Sequence, residues 1–134
     1  MPMAQPGFSG VHYVMDTRLS QFTVQAFASG VISVVANEIP AEFSKLTKLA
    51  LAGDLAGARG LQRQWFPLME VNFCETNPGP VKAAMAMLGL LEPGLLEPVF
   101  RLPMVPPSEA NRTKIETVLK SAGLLAAARS SHAD

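Results

Sequence analysis

Apolar and polar residues change rhythm at residue 30. The run Gly30-Val31-Ile32-Ser33-Val34-Val35-Ala36-Asn37 is rich in β-branched residues, entered through glycine and left through asparagine, with Pro40 close behind. That pattern predicts one fully buried strand, Val31 to Val35, feeding directly into a helix. Downstream the period is helical. Phe43, Leu46, Leu49 and Ala50 predict a helix over Ala41 to Ala52, with Pro40 in its first turn and Gly53 as its stop. Asp54 is a natural cap for a longer helix reaching Phe73, in which Leu55, Ala58, Leu61, Trp65 and Leu68 make one stripe. Pro67 lies inside that stripe, where it removes a backbone donor and predicts a kink or a break.

The turn Glu75-Thr76-Asn77-Pro78-Gly79-Pro80 leads into a third helix, Pro80 to Leu88, with Val81, Ala84, Met85 and Leu88 inward. Gly89-Leu90-Leu91-Glu92-Pro93 is then repeated letter for letter as Gly94-Leu95-Leu96-Glu97-Pro98, a local duplication far below the period of a solenoid. Arg101 to Pro107 should be extended by its prolines. Ser108 caps a last helix to Ala122, with Ile115, Val118, Leu119 and Ala122 inward and Gly123 as its end. Before residue 30 there is no clear period, although Val11 to Met15 has the composition of a short strand. A single apolar strand cannot satisfy its own backbone donors and acceptors, so the run from Gly30 needs partners that this text supplies poorly.

Composition narrows the function. The chain of 134 residues fits one domain, and its 11 basic residues balance 11 acidic ones, so no strong field points to nucleic acid or an anionic membrane. A hydrophobic content of 49% and a mean hydropathy of +0.23 are on the greasy side, a hint that some apolar surface is covered by something else. One cysteine, Cys74, and two histidines near opposite ends, His12 and His132, give no disulfide and no metal-ligand spacing. The longest apolar run, Ala83 to Leu91, falls short of the roughly 20 residues that span a bilayer, and no basic residue precedes an early apolar block as in a secretory leader. A cytoplasmic protein without metal or cofactor is the expectation.

Four motifs in order carry a family resemblance. Gly30-Val31-Ile32-Ser33-Val34 with Asn37, then Asn77-Pro78-Gly79-Pro80-Val81-Lys82, then Arg101-Leu102-Pro103-Met104, and finally Ala122-Gly123-Leu124 resemble the C-terminal third of the dihydrodipicolinate synthase family, from about Gly30 to Leu125. The resemblance implies a pyruvate-dependent Schiff-base lyase in a (β/α)8 barrel, with function at the carboxyl ends of the strands. A strand lysine forms an iminium with pyruvate, and the enamine attacks aspartate semialdehyde, in the diaminopimelate route to lysine. The implied fold of this chain is mostly α: the last strand and helix of an incomplete barrel (30–53), a C-terminal helical domain that joins a homotetramer (54–125) and a fraying tail (126–134). Residues 1–29 are unmatched and poorly ordered in this reading, as a wrong start or a reading-frame change upstream of about Ala28 would leave them. The position of Ile32 matches the family's isoleucine that lines the pyruvate pocket through its backbone.

The family's Schiff-base lysine strand, its active-site tyrosine and arginine and its Gly-Thr-Thr-Gly-Glu loop have no counterpart in this sequence, so no catalytic residue is assigned and the chain is expected to be inactive alone. Tyr13 is the only tyrosine, too few for a phenolic proton relay. Lys82 opens a helix and Lys45 and Lys48 lie on a polar face, so all three should be solvated rather than nucleophilic. Trp65, Met85 and Met87 read as packing or subunit contacts, Cys74 as inert, and Asn37 as a cap for the first helix. Without the resemblance Ile32 is a core aliphatic on a buried strand. Two other functions stay open: a helical module that binds at an oligomer interface, and a fragment of a related 2-oxo acid aldolase such as a sialic-acid lyase.

Overall fold

The computed structural model describes residues 13–14, 30–91 and 100–125. Strand β1 (Tyr13–Val14) pairs in parallel with β2 (Gly30–Val31), Tyr13 opposite Gly30 and Val14 opposite Val31. The short strand expected within Val11 to Met15 is therefore present, and it partners the run from Gly30. That run does not stay extended. Val34 adopts αR geometry, and Val35–Asn37 forms a 3-10 turn. A β-branched run fits a pleated surface but has no intrinsic length; where the ladder of partner bonds stops, local turn bonds take over. Here they run from the Asn37 amide to the Val34 carbonyl, through both its backbone N (3.1 Å) and its side-chain Nδ2 (2.8 Å). The predicted strand Val31 to Val35 is thus corrected to two residues and a turn. Asn37 closes that turn rather than capping the helix, whose cap residue is Ile39 with no side-chain bond.

The helices follow their predicted limits closely. Helix α1 (Pro40–Leu51) buries Phe43, Leu46 and Ala50, and Gly53 ends it with a φ of 81° that a side chain would resist. Helix α2 (Leu55–Val71) starts at Asp54, whose carboxylate accepts the Gly57 amide at 2.9 Å. It continues through Pro67 without the predicted break, because Pro67 and Arg63, whose carbonyl loses its partner, lie on the exposed side where water serves that carbonyl. Helix α3 (Gly79–Met87) buries Val81, Ala83 and Ala84, and α4 (Glu109–Ser121) buries Ile115 and Leu119. Arg101 to Met104 is not extended as expected: the Met104 amide bonds to the Arg101 carbonyl at 3.0 Å across a cis Leu102–Pro103 peptide.

Helix α1 packs on α2, and α4 on both α2 and α3, around one core of Val35, Ile39, Phe43, Leu46, Trp65, Leu68, Met69, Val71, Ala83, Ala84, Ile115 and Leu119. Each large side chain in that core contributes about 1.5–3 kcal/mol of apolar burial. The duplicated segment from Glu92 to Pro98, the segment 1–29 apart from Tyr13 and Val14, and the tail 126–134 lie outside the described residues. Among the described residues no helix is long and apolar enough to cross a membrane.

Candidate functional site

The chain leaves β2 at Val31, at the carboxyl end of the parallel β1–β2 pair. Ile32 follows β2 directly and is 57% exposed, so the core role open to it from sequence is corrected: this chain leaves it uncovered. Its neighbour Ser33 is half-buried, with a buried Oγ that has no hydrogen-bond partner. An exposed aliphatic side chain beside a serine hydroxyl offers apolar surface and no acid or base. Val31, just before Ile32, packs on Leu49, Ala50 and Ala58, tying the strand end to the α1–α2 corner.

The buried chemistry lies behind this point, in residues that sequence reading passed over. Glu38 follows the 3-10 turn and is only 6% exposed, while Asn72, just after α2, is fully buried. Asn72 Nδ2 donates to Glu38 Oε2 at 2.5 Å. Burial pushes the Glu38 carboxyl up to about 7, against a smaller opposing pull from the Asn72 amide. The signal for Asn72 was present: it continues the stripe Ala58, Leu61, Trp65, Leu68 at the next helical spacing, so a polar side chain had to enter the core. Glu38 sits in a Val-Val-Ala-Asn-Glu-Ile-Pro context with no such period to mark it.

A second polar cluster is external. Glu75 Oε1 accepts the backbone N of Ser108 (2.9 Å), its Oγ (2.7 Å) and the Asn111 Nδ2 (2.6 Å). Those bonds hold the Glu75 carboxyl below its usual range and tie the start of α4 to the turn after α2. The Ser108 hydroxyl also accepts the Asn111 amide at 3.4 Å, as its predicted capping role requires. A shallow open depression lies beside this cluster, lined by Glu75, Thr76, Pro103, Met104 and Val105.

The remaining candidates are dispersed. Lys45 and Lys48 are exposed on α1. Lys82 is half-buried rather than fully solvated, its Nζ 4.5 Å from the centre of the Phe100 ring. Trp65 is buried in the core, Met85 and Met87 are half-buried, and Met87 packs on the core edge. Burial pushes the Cys74 thiol up, which disfavours the reactive thiolate. All five lysines, Lys45, Lys48, Lys82, Lys114 and Lys120, stand on helices. Among the described residues no group of three or more His, Cys, Asp or Glu side chains gathers as metal ligands would.

The family model described as "Dihydrodipicolinate synthetase family" matches residues 8–122. The likeness therefore begins well upstream of Gly30 and includes β1, which corrects the expectation that residues before 30 are unmatched. A 4-hydroxy-tetrahydrodipicolinate synthase of Acidobacterium capsulatum is 42% identical over 113 residues, 84% of this chain and 36% of that protein. The crystal structure of dihydrodipicolinate synthase from Aquifex aeolicus superposes with a TM-score of 0.80 at 39% identity, over 88% of this chain and 39% of that one. The chloride-inhibited synthase from Acinetobacter baumannii, complexed with pyruvate, gives 0.78 at 34% identity, over 86% of this chain and 38% of its own. The chain thus spans a little over a third of the length of these relatives.

Proposed function

The chain belongs to the dihydrodipicolinate synthetase family, and from that membership we propose that it supplies the last two strands of a (β/α)8 lyase barrel (β1 and β2), the barrel helix after them and the C-terminal helical domain. In this reading residues 30–53 close the barrel and residues 54–125 form the helical domain, which takes part in a homotetramer. A complete barrel takes about 250 residues, so the rest of the catalytic surface comes from sequence outside this chain. The whole enzyme condenses pyruvate with aspartate semialdehyde on a Schiff-base lysine, a cytoplasmic step of lysine biosynthesis. That the relatives described above are dihydrodipicolinate synthases favours this substrate pair over that of a sialic-acid lyase.

The observation that carries the reading is the parallel β1–β2 pair with Ile32 open at its carboxyl end, where such barrels hold their substrates. Ile32 forms part of the pyruvate pocket wall, contributing its backbone and an apolar side chain. The nucleophile comes from elsewhere, because the chemistry needs a lysine on a barrel strand and every lysine here is on a helix. Borohydride reduction of this chain with pyruvate should leave all five lysines unmodified. Mixing it with the N-terminal two-thirds of the Acidobacterium capsulatum relative should yield condensation activity and one trapped adduct, on that segment. An adduct on this chain, or no activity from a mixture that associates, would overturn the proposal.

A further inference from the structure

We propose that Glu38 and Asn72 form a neutral acid–amide pair, in which Glu38 Oε1 carries the carboxyl proton and donates it to Asn72 Oδ1 while Asn72 Nδ2 donates to Glu38 Oε2, and that loss of this proton to solvent unlatches the turn after Ile32 from the end of α2. Complementary vacancies carry the inference. Nδ2 and Oε2 are already bonded, and the buried side-chain atoms left without partners in the same two residues are Glu38 Oε1 and Asn72 Oδ1. Both are acceptors if Glu38 is ionised, so they would face the interior unpaired. Leaving a buried acceptor unsatisfied is costly, and one proton on Oε1 satisfies both.

The surroundings favour the neutral form. Glu38 is 6% exposed and Asn72 is fully buried, between a turn whose Val35 is fully buried and an α2 end whose Val71 is 2% exposed. The ionisable side chains of the surrounding elements are Glu42, Lys45 and Lys48 on α1, Arg59, Arg63 and Glu70 on α2, Cys74 and Glu75 beyond it, Lys82 on α3, and Glu109, Arg112, Lys114, Glu116 and Lys120 on α4. None of them contributes to the titration of Glu38, which burial raises and Asn72 lowers, to about 7. Among the described residues no cation is therefore placed to hold a carboxylate there. Ionisation would break the bond to Asn72 Oδ1, leave a charge in an apolar interior and favour movement of the turn toward water. The latch spans the joint between the segment that presents Ile32 and the helix that anchors the rest of the core, and it stands independently of the chemistry proposed for Ile32.

Carbon-13 NMR of glutamate-labelled chain reads the carboxyl directly, with the Glu38 resonance assigned by its disappearance in Glu38→Gln. It should titrate near 7, and the urea midpoint of the wild-type chain should fall as pH rises from 4.5 to about 7. Glutamine is the permanent neutral mimic, donating to Oδ1 and accepting from Nδ2, so Glu38→Gln should stay folded with a urea midpoint flat over the same window. Glu38→Ala, which keeps neither bond, should have a lower midpoint than Glu38→Gln at every pH. A Glu38 resonance titrating at the ordinary value of 4.5 would overturn the pair. So would a Glu38→Gln midpoint as low as that of Glu38→Ala, or one that keeps the wild-type pH slope.

Discussion

Glu38 and Glu75 show how the same side chain takes opposite titration from its company. Burial raises Glu38, so its folded carboxyl binds protons more tightly than the unfolded one; the linked stability is complete below 4.5 and is lost as pH rises to about 7, on the order of 3 kcal/mol in all. Glu75 is the reverse case. Three donors from Ser108 and Asn111 favour its carboxylate, so the linked stability is present above 4.5 and is lost as pH falls through the lowered folded value. Glu75→Gln should therefore lower the urea midpoint at neutral pH, with the difference from wild type shrinking in acid. A difference independent of pH would mean that the carboxylate charge is not what holds α4. Neither glutamate announces itself in the sequence, because each acquires its character from residues more than 30 positions away.

At the scale of elements, helices were legible because their determinants are local. The stripe Phe43, Leu46, Ala50, the caps Asp54 and Ser108, and the positive-φ glycines Gly53, Gly89 and Gly123 all act within a turn or two of the chain. The strand was not legible in length, since Val31 to Val35 has one composition but only Gly30 and Val31 have a partner. That Pro67 does not break the helix has a related reason: its cost depends on which side of α2 it occupies. Because that side is exposed, Pro67→Ala restores the bond to the Arg63 carbonyl without disturbing the core, and the chain should gain about 1–3 kcal/mol by chemical denaturation. Leu119→Ala, in contrast, empties a fully buried position where α4 meets the core and should cost about 2–5 kcal/mol. Equal and small effects for both would contradict the packing described for α2 and α4.

For the whole molecule the informative surface is the one left open. Among the described residues Ile32 directly after β2, and Leu51 and Leu55 where α1 turns into α2, are 57%, 53% and 43% exposed, and Val31 and Leu49 pack on Ala50 and Ala58 at that turn. A parallel sheet is ordinarily covered on both faces, so apolar side chains exposed beside a parallel pair belong against further strands and helices. On the proposed barrel reading those come from the rest of the enzyme, since the relatives are nearly three times as long as the matched region. Because Ile32 is more than half exposed, Ile32→Asp should leave the circular dichroism and urea midpoint within about 0.5 kcal/mol of wild type. In the mixture with the complementary segment the same substitution should abolish condensation, since on the proposed reading it puts a carboxylate beside the site for a carboxylate substrate. Amide exchange at Gly30 to Ser33 should slow when that segment is added to the wild-type chain, as the open edge acquires a partner. Full activity from the aspartate variant would remove Ile32 from the pocket while leaving the barrel assignment standing, so the two claims are separable in one experiment.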